Sequence, residues 1–130
     1  MRRAKLHFGV VVLILVALLM GACTGQEKPE GTLTVAELLE EQVYDREVKI
    51  YGEVGLLGEL FCPCFELTSG GEKVEVWYGL MVEDNGTERP SISVEGIKNG
   101  DWVIVTGELR SSTGTAPSTT FWASNIEKID

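Results

Sequence analysis

The chain of 130 residues is 44% hydrophobic and 24% charged, a composition that excludes a wholly disordered chain and a collagen-like repeat. Its length supports one small domain with one hydrophobic core. Residues 8–20 form the one long apolar run, so the sequence excludes a protein with several membrane spans.

The first 22 residues have the order of parts that is typical of a secretory signal peptide. Three basic residues precede the apolar run, and Gly21 and Ala22 follow it, directly before Cys23. The run is shorter than the ~20 residues that a membrane-spanning helix needs. We therefore predict that residues 1–22 are a removable leader. The mostly polar residues 23–31, which include Gly and Pro, are predicted to form a flexible tether.

The position of Cys23 directly after Gly-Ala resembles the lipobox of bacterial-type lipoproteins. This resemblance implies that the chain is cut before Cys23, that Cys23 is acylated, and that its acyl chains hold the protein in the lipid bilayer. It also implies export, to the outer face of the cell membrane or to the periplasm. An uncleaved signal anchor and an ordinary secreted protein are the alternatives.

Loss of the leader makes the chain more acidic. The full chain has a formal net charge of −9, and removal of Arg2, Arg3 and Lys5 leaves 8 basic against 20 acidic residues, a net charge of −12. A field of this sign repels phosphate groups, and nucleic-acid binding depends on contacts from Lys and Arg. The charge therefore argues against a nucleic-acid partner.

Residues 32–41 contain the start signal of a short helix. Thr34 is the expected N-cap, and Glu37, three residues later, completes the capping-box pattern. The apolar stripe of this helix consists of Val35, Leu38 and Leu39. We expect the stripe to pack on the end of a barrel and the helix to cover Trp102 and Trp122.

Five segments show the alternation that is typical of β-strands. They are 47–54, the second half of 61–68, 73–80, 101–109 and 120–129. Gly52 and Gly107 occupy inward positions in the first and fourth strands, where glycine allows the sharp coiling of a small closed barrel. The connection 81–100 contains a turn at Asn85-Gly86 and no helix pattern.

This pattern of five short strands, coiled glycines and a long connection between the third and fourth strands resembles the OB-fold over residues 47–129. It is similar to small bacterial and archaeal OB-fold lipoproteins and to the anticodon-binding-like OB-fold group. The resemblance implies an all-β fold, a five-stranded OB-fold-like barrel with one short N-terminal helix. It also implies a single domain at residues 32–130.

The resemblance implies a ligand face as well. In OB-folds, ligands usually lie across the second and third strands, between the loops that follow the first and fourth strands. Here those loops are residues 55–60 and 110–119. The face would carry Tyr51, Glu66, Glu75 and Trp77. Exposed aromatic side chains can stack on a ligand, and the alternative is that Tyr51 and Trp77 only cover the barrel surface or lie under the tether or the helix.

The motif Cys62-Pro63-Cys64 is the most specific feature of the domain. In a regular strand the two Cβ atoms would lie ~6–7 Å apart, whereas a disulfide needs ~3.8 Å, so a bond requires the chain to bend at Pro63. Four states are open: a structural disulfide, a dithiol that binds a soft metal with ligands from elsewhere, a redox site, and free thiols. No His remains after residue 22 to complete a metal site, since His7 lies in the leader.

No catalytic constellation stands out, because the sequence has no Gly-x-Ser-x-Gly motif, no phosphate loop and no paired His ligands. We therefore predict a protein without catalytic activity and without a cofactor. The leading hypothesis is a lipid-anchored OB-fold module that binds a peptide, protein or glycan partner. The alternatives are an envelope thiol protein that binds a soft metal or does redox chemistry at Cys62 and Cys64, and single-stranded nucleic-acid binding.

Overall fold

The structure is a computed structural model that describes residues 27–111 and 120–130. Its elements are β1 (Leu33–Thr34), α1 (Val35–Glu41), β2 (Val48–Gly55), β3 (Cys64–Ser69), β4 (Glu72–Trp77), β5 (Leu80–Val82), β6 (Glu88–Pro90), β7 (Trp102–Leu109) and β8 (Thr120–Lys128). The predicted leader and Cys23 lie outside the described residues. Within the described part of the chain, no helix is long and apolar enough to cross a bilayer.

Five strands close into a barrel. β2 pairs antiparallel with β3 on one side and with β7 on the other, β3 pairs with β4, and β7 pairs with β8. Parallel pairing between β4 and β8 completes the ring. These are the five strands predicted from alternation, so the predicted all-β barrel is confirmed. The short β1 adds a parallel pairing to the first half of β2.

The hydrophobic core is formed by side chains on the inward face of every barrel strand. Its buried side chains come from alternating positions and include Ile50, Val54, Phe65, Leu67, Val74, Val76, Val103, Val105, Leu109 and Phe121. Full burial of a side chain of this size contributes about 1.5–3 kcal/mol relative to exposure. Because strand side chains alternate, the outward residues between these positions form a second surface that the core does not use.

The helix α1 begins where the capping pattern predicts. The Thr34 hydroxyl accepts a hydrogen bond from the Glu37 backbone N–H at 3.0 Å, and Val35 and Leu38 are fully buried in the core. The buried Ser69 hydroxyl also accepts a hydrogen bond from the Val35 N–H at 2.8 Å. This contact joins the first turn of α1 to the end of β3, and α1 packs against β1 to β4.

At the two inward glycines, where the sequence predicted sharp coiling, the structure shows a close approach of neighbouring backbone. A Cβ at Gly52 would lie 2.7 Å from the Thr68 carbonyl oxygen, and a Cβ at Gly107 would clash with the Trp122 carbonyl oxygen. The ladder between β7 and β8 shifts register between Thr106 and Gly107. This bulge lets β8 cross closely over β7, because only glycine leaves room for the neighbouring backbone.

The connection after β4 differs in detail from the sequence prediction. The third predicted strand ends at Trp77, and residues 80–82 instead pair with residues 88–90 in the separate β5–β6 hairpin. The predicted Asn85-Gly86 turn lies at its tip, where Gly86 has a φ of +82°. No helix occurs in residues 81–100, as expected from the sequence.

We expect Gly107→Ala to destabilise the domain, because the new methyl group has no space against the β8 backbone. The expected cost is about 1–3 kcal/mol in the free energy of unfolding, measured by urea denaturation. Gly55→Ala is the matched control, since the nearest atom to its Cβ, the Glu66 carbonyl oxygen, lies 3.9 Å away. Equal stability of both variants would show that the bulge tolerates a side chain.

Candidate functional site

One row of side chains crosses the outer face of four strands. Cys64 of β3 lies opposite Trp77 of β4, Trp77 pairs with Trp122 of β8, and Trp122 lies opposite Glu108 of β7. We call these four residues the indole row. Both tryptophans point away from the core, since their neighbours along the chain face inward and both indoles remain partly exposed.

The two indoles form a contiguous aromatic surface. The ring centroids of Trp77 and Trp122 are 5.4 Å apart, and the ring planes are tilted by 40°. The guanidinium carbon of Arg110 lies 4.1 Å from the Trp122 ring centroid. Its Nε lies 3.1 Å from an oxygen of Glu108. A cation over an exposed indole contributes about 0.5–1 kcal/mol, so ring and carboxylate together orient Arg110.

A groove of about 210 Å³ adjoins this surface and is lined by Trp122, Arg110 and Glu108, among others. The segment before β2 is bonded to the chain beside this groove. The Asp45 carboxylate accepts hydrogen bonds from the backbone N–H and the hydroxyl of Ser111. These bonds lower the pKa of Asp45 below its ordinary value of 3.8. These hydrogen bonds hold the backbone directly after Arg110 in place beside the indole row.

The structure brings three of the four predicted ligand-face residues together. Glu66 and Glu75 lie directly opposite each other on β3 and β4, two pairs along from Cys64 and Trp77. Glu66 lies 3.5 Å from the Lys73 ammonium, and Glu75 is exposed. Two carboxylates therefore border the indole row on the same outer face.

The expectation that Tyr51 is exposed on the outer face is wrong. Tyr51 is only 7% exposed, and its ring centroid lies 5.5 Å from that of Trp102. Alternation leaves Tyr51 on the opposite side of β2 from the core residues Ile50 and Val54. Because the Trp102 ring packs against it there, Tyr51 is not available as an exposed ligand-face residue.

Cys62 and Cys64 form a disulfide at the start of β3, and their Cα atoms are 5.2 Å apart. As the spacing required, the chain bends at Pro63, whose carbonyl oxygen accepts a hydrogen bond from the Tyr78 N–H at 2.9 Å. This bond joins the bend to the end of β4. The two sulfur atoms and a carboxylate oxygen of Glu75 all lie within 4.8 Å of one another.

Sequence reasoning missed Trp122 and Glu108 as site residues, whereas Arg110 is the first residue of the loop 110–119 that it placed beside the ligand face. The expectation that α1 covers Trp102 and Trp122 is not met, because α1 packs against β1 to β4 whereas these residues lie on β7 and β8. The available signal was the alternation in β8: an inward Phe121 leaves Trp122 outward. Placing it beside Trp77 additionally requires the parallel register of β4 and β8.

The order of the barrel strands is that of a known fold. The five barrel strands in chain order are β2, β3, β4, β7 and β8. The first of them, β2, lies between β3 and β7, and the third, β4, runs parallel to the fifth, β8. This is the arrangement of a five-stranded Greek-key barrel. Solved structures that are similar to this one include two with a TM-score above 0.5. The telomere capping protein Ten1 of Saccharomyces pombe has a TM-score of 0.51 and 11% identity, covering 77% of this chain and 81% of its own.

The second structure is an OBody, AM3L09, bound to hen egg-white lysozyme. It has a TM-score of 0.54 and 20% identity over 79% of this chain and 98% of its own. The chain has an OB-fold. No protein-family model matches the sequence, and no curated protein does so either. In terms of the OB-fold, the indole row crosses the second, third, fifth and fourth barrel strands.

We expect Asp45→Asn to lower stability at neutral pH and to have no effect in strong acid. The folded pKa of Asp45 is lowered, so its stabilising contribution is present above the ordinary pKa and is lost as the pH falls through the lowered value. Asn also tolerates the positive φ of +54° at this position. Urea unfolding at about pH 7 and about pH 2 measures the difference.

The matched control is Glu47→Gln, two residues further along the same exposed segment. Because Glu47 has no hydrogen-bond or ion-pair partner within residues 27–111 and 120–130, its removal should leave stability unchanged at both pH values. A stability difference for Asp45→Asn that persists undiminished in acid would contradict the role given to its charge.

Proposed function

We propose that this protein is an exported, lipid-anchored OB-fold protein that binds a positively charged segment of a peptide or protein partner, without catalysis. Its binding surface consists of the accessible members of the indole row, which are Trp77, Trp122 and Glu108, together with Glu66 and Glu75. Acylated Cys23 would hold the domain at the outer face of the cell membrane or in the periplasm. The tether that follows Cys23 would let the domain reach its partner.

The observation that carries the proposal is the Trp77–Trp122 pair, with Arg110 over one of its rings. Trp and Arg side chains dominate the energetics of protein interfaces. Both indoles stand on paired strands of a closed barrel, so binding orders few groups that are not already ordered. A partner would therefore gain most of the free energy available from covering the two rings.

The charge of the surface favours a cationic partner. Indole faces attract cations, as Arg110 over Trp122 illustrates, and Glu75 adds a carboxylate beside them, whereas Lys73 pairs with Glu66. The predicted mature chain, from Cys23 onward, has a net charge of −12, which attracts positive segments and repels phosphate backbones. This charge supports a basic peptide or protein segment over a nucleic acid, and over a neutral glycan.

The similar structures add limited support. The OBody is described as bound to hen egg-white lysozyme, so one OB-fold protein of comparable length takes a protein as its partner. For the present chain, the OBody supports only the general class of partner, a protein, and not lysozyme itself. The particular residues Trp77, Trp122 and Arg110 are the basis for proposing where such a partner would bind.

The anchor is tested by the intact mass of the protein purified from native membranes. We expect a mass that begins at Cys23 and includes acyl chains. Cys23→Ser should leave the leader attached and the acyl mass absent, whereas the control Thr24→Ser should change neither. A wild-type mass that begins at Met1 without acyl chains would contradict the lipoprotein.

The binding surface is tested with the full chain in detergent. No reductant is added, so that the disulfide is retained. Fluorescent peptides of equal length, one rich in Lys and Arg and one rich in Glu, are titrated and read by anisotropy. We expect the basic peptide to bind and the acidic one not to bind. Trp77→Ala and Trp122→Ala should each weaken binding at least about tenfold, or about 1.4 kcal/mol.

Trp102→Ala is the matched control, since this indole packs on Tyr51 and lies outside the indole row. It should leave the affinity unchanged in protein that is shown to be folded by circular dichroism. Binding of a neutral oligosaccharide or of a single-stranded oligonucleotide, with the same dependence on Trp77 and Trp122, would overturn the proposed partner class in favour of those ligands.

A further inference from the structure

We propose that Cys62, Cys64 and Glu75 form a zinc site when the disulfide is reduced. This inference goes beyond the proposed binding function and does not depend on it. The two sulfur atoms and one carboxylate oxygen of Glu75 lie within 4.8 Å of one another. The sequence left open a metal at the two cysteines, and the structure supplies the third ligand that such a site needs.

The distances suit a tetrahedral ion. Zn²⁺ binds thiolates at ~2.3 Å and carboxylate oxygens at ~2.0–2.2 Å, so its ligand atoms lie ~3.5 Å apart. The three atoms are already within 4.8 Å, and the separation of 5.2 Å between the Cα atoms leaves room for two thiolates on one ion. Rotation of the exposed Glu75 side chain covers the remaining distance.

Register explains why Glu75 reaches the sulfurs. Glu75 lies two residues before Trp77 on β4, on the same outer face, and Trp77 is directly opposite Cys64. Glu66 is on the same face, but Lys73 pairs with its carboxylate at 3.5 Å. No hydrogen bond or ion pair engages Glu75 within the part of the chain that the structure describes, so its carboxylate is available as a ligand.

The combination of two thiolates and one carboxylate favours Zn²⁺ over Cu(I). Two thiolates alone would suit Cu(I), which prefers soft sulfur ligands, and a carboxylate would add little to its binding. Zn²⁺ accepts sulfur and oxygen together. Three protein ligands leave the fourth position of a tetrahedral ion to water, since Glu75 is exposed and Cys62 is partly so. The site is therefore of the open type, with Cys64 on its buried side.

Loading requires two chemical steps. In the first, an external dithiol reduces the disulfide: the Cys62–Cys64 S–S bond breaks, two thiols form, and the dithiol becomes a disulfide. Two electrons and two protons pass to the protein. In the second, Zn²⁺ binds the two thiolates and the Glu75 carboxylate, and the two thiol protons are released to solvent. The oxidised protein offers no thiolate and should not bind.

The test uses the full chain in detergent, reduced with a phosphine under argon and compared with the untreated disulfide form. Co²⁺ serves as a coloured probe, and Zn²⁺ then displaces it. We expect one ion per reduced chain, with the thiolate-to-cobalt charge-transfer absorption that two thiolates produce. The untreated protein should show neither the absorption nor bound metal.

Glu75→Gln distinguishes this site from binding by the two thiolates alone. Its Zn²⁺ affinity should fall at least about tenfold, while Glu66→Gln, the matched control directly across the strand pair, should retain its affinity within about threefold. Both positions are on the outer face, so folding should survive either change. Cys62→Ser and Cys64→Ser should each abolish the cobalt absorption.

Three results would overturn the proposal: no Zn²⁺ bound by the reduced protein, equal effects of Glu75→Gln and Glu66→Gln, or one ion per two chains, which indicates a site between molecules. Peptide binding by the indole row is measured on the disulfide form without metal. Failure of the zinc site and failure of the proposed partner binding are therefore separate observations.

Discussion

The parallel pairing of β4 with β8 is the constraint on which both the barrel and the candidate site depend. Three residue pairs close the ring, and the central pair, Val76 with Phe121, points into the core. The flanking pair of Trp77 with Trp122 then points outward by strand alternation. The bulge at Gly107 permits this closure, because the β8 backbone passes where a side chain would stand. Core packing and the aromatic surface therefore have a single geometric cause.

The proposed partner-binding surface and the proposed metal site both include residues of β4. Glu75 and Trp77 share the outer face of β4, and Cys64 lies opposite Trp77 on β3. In the disulfide form, Glu75 would pair with the proposed cationic partner that covers the indoles. In the reduced form, the same carboxylate would be a metal ligand beside Trp77. The two proposed activities would thus draw on one carboxylate, and the redox state of Cys62 and Cys64 would decide which is available.

Local sequence was informative wherever one element is controlled by its own residues. Thr34 and Glu37 predicted the start of α1, since a cap forms over three residues of chain. Alternation predicted the five barrel strands and placed Gly52 and Gly107 at inward positions, where the structure shows close backbone approach. The requirement that the chain bend at Pro63 also followed from strand geometry alone. Each of these inferences needs only neighbouring residues and the steric limits of the backbone.

The sequence by itself determined the class of fold, the inward sides of the first, third and fourth barrel strands, and the condition that a bond between the two cysteines needs a bend at Pro63. Tertiary structure alone decided which outward residues meet. The Trp102 ring packs against Tyr51, which is 7% exposed, and the register of β4 with β8 placed Trp122 next to Trp77. The physical reason is that alternation specifies a direction for each side chain but not the strand beside it. Neighbours across a sheet are set by register, by bulges and by closure of the barrel, which are properties of the whole domain.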